Sequence, residues 1–274
     1  MNKIKKQFSD GWAIILGGSS GFGFAAIEKL TGHGMNIAVL YRETAAEERL
    51  LKEKLLHLAT VNEITILPYN INALDAEGRK SFIQQFTSSN SKKHCVRLLL
   101  HSIARGNLKP LMVLPDAESK EIHATLSIED IQLTTYAMST SLLDWARLLI
   151  NADLFQKEAR IIGLTSEGAN RFWEGYAAVS IAKASLQSLT TYMAIELGKY
   201  GLRTNLIQAG ITDTPSLKKI PGSKKLIEMS VQRSPLGRMT RPEDVANVIY
   251  LLCTEEASWI NGAIIHADGG EHCL

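Results

Sequence analysis

Cysteine is scarce: the 274-residue chain carries three, Cys95, Cys253 and Cys273, an odd number at wide spacing with no Cys-x-x-Cys pair. That excludes a disulfide framework and a zinc ribbon, and it fits a reducing compartment. Charge of one sign is also missing, because 30 Lys and Arg stand against 28 Asp and Glu for a formal +2. Nucleic-acid binding shows as clustered basic excess, so neither nucleic acid nor an anionic membrane is the expected partner, and a small or polar ligand is. No window approaches the roughly 20 apolar residues of a membrane span. The apolar stretch at 12–16 runs straight into glycines, too short for the core of a signal peptide. A cytoplasmic location is the expectation. Internal repeats and low-complexity tracts are absent as well.

What is present is ordinary globular composition, 45% apolar and 21% charged. A chain of this length buries roughly 70–75% of its unfolded surface, enough for a core without staples, and one domain over 1–274 is expected. Seven short apolar runs, at 13–16, 37–40, 64–67, 96–100, 160–164, 204–207 and 263–266, read as strands. Segments with helical spacing lie between or beside them at 22–31, 45–58, 76–87, 128–150, 176–199 and 242–253. Runs apolar on both faces, separated by helices, predict an α/β fold: a doubly wound parallel sheet of about seven strands with helices on both faces. The least regular stretches, 106–127 and 215–230, follow predicted strand ends, where ligands bind in such sheets.

The first strand ends in Leu16-Gly17-Gly18-Ser19-Ser20-Gly21-Phe22-Gly23 and a helix follows at once, with Gly17, Gly21 and Gly23 spaced G-x-x-x-G-x-G. Such glycines let a pyrophosphate approach bare backbone at a helix N-terminus, where free N–H groups and the helix dipole favour negative charge. A plain glycine-rich turn is the bland alternative, but strand, loop and helix coincide at the first βα unit, which favours dinucleotide binding. After the second strand, where the adenosine ribose is read, the chain offers Arg42 and Glu43. Arg42 in the site would pair with a 2′-phosphate and select NADPH, whereas Glu43 there would prefer NADH. Arg42 and NADPH form the favoured reading, with one residue of register deciding it. Solvated loop charges are the alternative.

Beyond the fifth strand come Ser166, Tyr176 and, seven residues later, Lys183. Seven residues at ~100° each return Lys183 to the helical face of Tyr176, two turns away. A phenol with a pKa near ~10 that must support a developing oxyanion is helped by a nearby ammonium. On spacing alone, packing and solvation explain such a pair better than catalysis does.

The glycine loop, His101-Ser102-Ile103-Ala104 at the fourth strand's end, the Tyr176/Lys183 helix, Asn205-Leu206-Ile207-Gln208-Ala209-Gly210 and Asp268-Gly269-Gly270 together resemble the short-chain dehydrogenase/reductase superfamily over nearly the whole chain. The commoner pattern there is Tyr-x3-Lys, which would need tyrosine at position 179, where Val179 stands. Tyr-x6-Lys is similar instead to the enoyl-acyl-carrier-protein reductases, as are the His101 to Ala104 segment and Ala182-Lys183-Ala184-Ser185-Leu186.

That resemblance implies a Rossmann-type fold and hydride delivery from a nicotinamide to the β-carbon of an α,β-unsaturated thioester in fatty acid synthesis. Tyr176 would stabilise the enolate oxygen and Lys183 would bind the nicotinamide ribose. Conjugate reduction puts the oxyanion farther from the hydride-accepting carbon than a ketone does, which suits a tyrosine displaced along the helix. By the same likeness Gly17, Ser19, Ser20, Gly21, Phe22 and Gly23 would cradle the dinucleotide, and Asn70 with Ile71 would meet the adenine. Ser102, Ile103 and Ala104 would line the cofactor, while Gly210, Ile211, Thr212 and Thr214 would meet its carboxamide and phosphates. Turn chemistry before Pro215 is the alternative for the two threonines. His101 is read as a buried, satisfied histidine, and Asp268-Gly269-Gly270 as a turn. No metal is expected.

Three departures qualify the likeness. Ser166 lies ten residues before Tyr176, where the best-known enoyl reductases of this type have a second tyrosine. It also lies seventeen before Lys183, where the commoner dehydrogenases keep a catalytic serine, so a substrate contact and a chain cap both stay open. The first loop keeps the glycines of the wider superfamily, unlike the glycine-poor loop common in NADH-using enoyl reductases, which implies a variant subfamily. Met138 falls near the commoner enzymes' active-site asparagine and weakens an alcohol-dehydrogenase reading. Residues 215–230 mix Leu217, Ile220, Leu226, Ile227 and Met229 with Lys218, Lys219, Lys224 and Lys225. They look like the family's substrate lid, with lysines toward an acidic carrier protein or the phosphates of coenzyme A. A surface amphipathic helix is the other reading. The family implies a homotetramer. Three functions follow for test: an enoyl-thioester reductase, a carbonyl reductase or alcohol dehydrogenase (such as a 3-oxoacyl reductase) using Ser166, and a non-catalytic dinucleotide binder.

Overall fold

A computed structural model describes residues 7–90, 93–112 and 125–274, so positions 113–124 of the irregular stretch at 106–127 lie outside the described residues. The strands are β1 (Trp12–Leu16), β2 (Asn36–Tyr41), β3 (Ile66–Asn70), β4 (Val96–His101), β5 (Phe155–Ser166), β6 (Arg203–Ala209) and β7 (Ile264–Ala267). They form one sheet in the order β3-β2-β1-β4-β5-β6-β7, every neighbouring pair parallel. The helices are α1 (Gly21–Gly32), α2 (Ala45–Asn62), α3 (Ala76–Ser89), α4 (Ile128–Thr135), α5 (Ser141–Asn151), α6 (Ala177–Glu196), α7 (Ser223–Arg233) and α8 (Pro242–Cys253).

Successive strand residues point to opposite faces, and each face has its own core. Ile14, Leu16, Ala38 and Leu40 pack with Phe82 and Phe86 of α3, Trp145 of α5 and Leu186 of α6. Ala13, Ile15, Ile37 and Val39 pack with Ile27 of α1, Leu51 of α2 and Ile249 of α8. This double burial is why the strands read as unbroken apolar runs. The order reverses between β1 and β4, which opens a crevice at the carboxyl ends of those strands.

Element boundaries differ from the sequence reading in three informative ways. β3 sits later than 64–67 and contains Pro68, tolerated because β3 is an edge strand whose missing N–H costs no central ladder bond. The segment expected as one helix at 128–150 is interrupted by a π-helical turn at Tyr136–Thr140. There the Ser141 hydroxyl donates back to the Ala137 carbonyl at 3.2 Å, a bond that competes with the helical ladder. Residues 215–230 are more ordered than expected, forming a short turn at Leu217–Lys219 and then α7.

Buried arginine is the feature periodicity missed. Arg160, 2% exposed on β5, donates to the carbonyls of Leu252 and Thr254 at 2.7 and 2.9 Å. Arg97 donates twice to the Cys253 carbonyl at 3.0 and 2.8 Å. Together they satisfy the orphan carbonyls at the end of α8 and pin that helix to the sheet.

Candidate active site

A cleft of about 790 Å³ opens over the crevice, lined by the segments that follow all seven strands, Asp268, Glu271 and His272 after β7 among them. At β1, Gly17 has φ of 83°, and a Cβ there would lie 2.7 Å from the Ser102 carbonyl oxygen. Its N–H is held by the Leu40 carbonyl at 2.9 Å. Gly23 does not line the cleft; a Cβ on it would meet the Gly17 carbonyl oxygen at 2.2 Å, so its role is to let α1 close on the loop. Gly17, Ser19, Ser20, Gly21 and Phe22 do line it. Ser20, the N-cap of α1, makes no side-chain cap bond, so the first N–H groups of that helix face the cleft without a protein side chain.

At the second strand's end, Arg42 lines the cleft and Glu43 does not. Glu43 is tied back by Asn70, whose Oδ1 accepts the Glu43 N–H at 3.1 Å and whose amide donates to the Glu43 carbonyl at 3.0 Å. The same amide donates to Glu48 at 2.9 Å. Asn70, expected at the adenine, is therefore engaged outside the cleft, and Ile71, Asn72 and Ala73 take the wall in its stead.

Ser102, Ile103 and Ala104 follow β4 along the opposite wall. His101, just before them, is 2% exposed, with Nε2 2.9 Å from the Ser141 hydroxyl. Burial, reinforced by the Lys183 charge, pushes its pKa down to about 3, so it is neutral and structural.

Tyr176 is the N-cap of α6 and Lys183 lies on its buried face, both lining the cleft. The Lys183 ammonium donates to the Leu164 carbonyl at 2.7 Å, and burial lowers its pKa to about 8. Burial raises the Tyr176 pKa, offset in part by the neighbouring Ser166 hydroxyl. Desolvation of the phenol is the larger of these two influences, and one Lys183 N–H is engaged by Leu164. Ser166 Oγ lies beside the phenol and is buried without a hydrogen-bond partner among the described residues. Val179 is buried with Ala137, Met138 and Ala182, against Tyr176.

After β6, Gly210, Ile211, Thr212 and Thr214 line the cleft. The Thr212 hydroxyl donates to the Gly210 carbonyl at 2.9 Å and Thr214 Oγ1 accepts the Leu217 N–H at 3.2 Å, so the turn chemistry weighed as an alternative is present at the cleft wall.

Sequence reasoning missed a charged group beyond these. Arg233, at the end of α7, pairs bidentately with Glu167 at 2.6 and 2.9 Å and donates to the Glu271 carbonyl at 2.8 Å. Glu271, 3% exposed, accepts the Ile211 N–H through Oε2 at 3.1 Å, and its other oxygen has no hydrogen-bond partner among the described residues. Burial raises its pKa. Nothing local in the sequence marks this group, since its members come from 167, 211, 233 and 271.

A family model described as enoyl-(acyl carrier protein) reductase matches residues 17–272. The chain is 28% identical over 200 residues to the NADH-dependent enoyl-acyl-carrier-protein reductase of Aquifex aeolicus, covering 73% of this chain and 68% of that protein. It is 28% identical over 265 residues to a Bacillus subtilis protein described as a probable 2,4-dienoyl-CoA reductase, covering 94% and 95%. In fold it resembles the crystal structure of the Bacillus cereus enoyl-acyl-carrier-protein reductase with NADP+ and indole naphthyridinone, with a TM-score of 0.80 at 23% identity over 98% of each chain.

Proposed function

The chain belongs to the enoyl-(acyl carrier protein) reductase family of short-chain dehydrogenases/reductases, and from that premise we propose that it reduces the carbon–carbon double bond of an enoyl thioester with NAD(P)H. The observation that carries the reading is the spacing of Tyr176 and Lys183 on one cleft wall, with Val179 buried at the position where a Tyr-x3-Lys enzyme has its phenol. The residues fit a dinucleotide: bare loop backbone, a helix N-terminus without a side-chain cap and an unpartnered Ser166 hydroxyl all border the cleft.

A bound nicotinamide would supply the hydride that the β-carbon accepts, with the π electron pair going to the thioester oxygen. Tyr176 donates a hydrogen bond to that oxygen as its charge develops. Its raised pKa keeps the phenol protonated, and so a donor, at neutral pH. Lys183 spends one of three N–H donors on Leu164 and has two for the nicotinamide ribose. Solvent supplies the α-carbon proton.

Arg42 on the cleft wall, with Glu43 tied to Asn70, supports NADPH over NADH. The chain acts as a single catalytic domain in which residues 215–230 close over an acyl chain delivered on a carrier protein or coenzyme A. Exposed Ile128 and Leu133 on α4 and Tyr192 and Ile195 on α6 support a homotetramer. Among the described residues no helix is long and apolar enough to cross a membrane, which agrees with a cytoplasmic enzyme.

A carbonyl reductase is the second reading, favoured by the unpartnered Ser166 hydroxyl beside Tyr176. The deciding experiment is a matrix of NADPH and NADH against enoyl and 3-oxoacyl thioesters on both carriers. Oxidation of cofactor with enoyl thioesters, lost in Tyr176→Phe, supports the first reading; turnover of 3-oxo substrates alone supports the second. Cofactor binding without turnover of either leaves a dinucleotide-binding protein.

A further inference from the structure

We infer that His266, Asp268 and His272 form a binding site for a transition-metal dication at the C-terminal end of β7. The inference does not depend on the reductase reading. One donor atom from each residue lies within 4.8 Å of the other two. Asp268 Oδ2 is 2.7 Å from His272 Nδ1 and 3.8 Å from His266 Nδ1. Metal–ligand bonds of about 2.0 Å in tetrahedral geometry separate ligands by roughly 3.3 Å, a value these two distances bracket. The shorter one is a hydrogen bond whose proton the ion would replace.

The turn is built to hold this arrangement. Gly269 and Gly270 both take left-handed φ, 65° and 88°, which folds the chain back so that the two imidazoles lie 3.8 Å apart at a 32° tilt. Asp268 is 5% exposed, and its carboxylate is fixed by the N–H groups of Gly270 at 3.0 Å and His272 at 3.3 Å. Without an ion, the hydrogen on His272 Nδ1 meets the carboxylate at 2.7 Å and the Gln208 amide lies 3.3 Å from the second ring's Nδ1. A dication satisfies the carboxylate and both ring nitrogens together. The nearby Arg233 charge makes its paired contact with Glu167 and, of its partners Glu167, Glu271 and Asp268, acts most weakly on Asp268.

Two imidazoles and one carboxylate suit zinc, cobalt or nickel; magnesium and calcium prefer all-oxygen shells. Three protein ligands leave at least one position for water. An ion here would tie β7 to the turn that carries Glu271 and, through its bond to Ile211, to the cleft wall.

The test uses the full chain, free of any histidine tag and treated with chelator, titrated with zinc chloride and separately with magnesium chloride. The expected result is one zinc per chain by calorimetry, a saturable rise in Tm with zinc and none with magnesium. A visible cobalt spectrum should report nitrogen and oxygen ligands. His266→Ala and His272→Ala should each weaken zinc binding by about tenfold or more. His266 is the safer variant, because its ring is 37% exposed and Asp268 keeps its other bonds. Cys273 is the control, since its sulfur lies 3.4 Å from His272 Nε2. No saturable zinc binding by the parent overturns the inference. So does binding that survives His266→Ala unchanged, or that is lost only in Cys273→Ser.

Discussion

Val179 and Met138 meet in one small apolar cluster, and both point at Gly106, where a Cβ would sit 2.8 Å from the valine methyl and 3.1 Å from the methionine sulfur. These are the two positions at which a Tyr-x3-Lys dehydrogenase keeps polar groups. Here both pack against Tyr176, Val179 buried away from the cleft and Met138 on its wall, so apolar groups occupy both positions beside the phenol.

Moving the phenol should therefore fail. Tyr176→Phe is expected to lower kcat about 10²–10³-fold with little change in Tm, because a donor to the oxyanion is lost without loss of packing. Adding Val179→Tyr should not restore activity and should cost about 1–3 kcal/mol from overpacking. Steady-state kinetics and thermal melts check both. Recovery of enoyl reduction in the double variant would contradict the geometry.

Lys183 should leave a signature in the pH dependence of stability. Its folded pKa of about 8 lies below the ~10.4 of an exposed lysine. Between those values the unfolded chain binds more protons than the folded one, so stability rises with pH from roughly 8 to 10 and falls as pH drops through the folded pKa. Lys183→Met removes that contribution. Urea midpoints at pH 8 and 10 should climb more in the parent than in the variant, and equal slopes would refute the burial effect.

Arg42→Ala should raise the KM for NADPH about tenfold or more and leave that for NADH nearly unchanged. Should both cofactors keep the parent's relative affinity, Arg42 does not meet a 2′-phosphate.

The pair between Arg233 and Glu167 links α7 to the loop after Ser166. Both groups are less than a quarter exposed, so the pair resists solvent screening better than a surface one. Arg233→Met should free α7, raise the thioester KM several-fold and speed proteolysis within 217–233, while Tyr176 and the cofactor loop stay intact. Unchanged KM and cleavage rate would show that the latch holds nothing.

How much was legible can be followed residue by residue. The strands of both faces could be read because double burial demands unbroken apolar runs. The glycine loop could be read because close backbone approach excludes side chains. Gly23, grouped with the cofactor contacts, turned out to serve helix–loop packing, a distinction only coordinates resolve. The engagement of Asn70 was not legible because its partners Glu43 and Glu48 come from the neighbouring strand end and helix. Arg160 gave no signal, since nothing in β5 announces that its guanidinium will end α8.

By itself the amino-acid order determined the layered parallel sheet, the glycine-rich loop at its first turn and the two-turn separation of Tyr176 from Lys183. These are matters of local period and spacing, which a chain carries in its own succession of residues. Only the tertiary structure decided that Arg42 and not Glu43 faces the cleft, that Ser166 is left without a partner, and that Arg233, Glu167 and Glu271 assemble at its rim. Such outcomes depend on contacts between residues tens to hundreds of positions apart, whose desolvation and hydrogen bonding exist only once the sheet and its helices have packed.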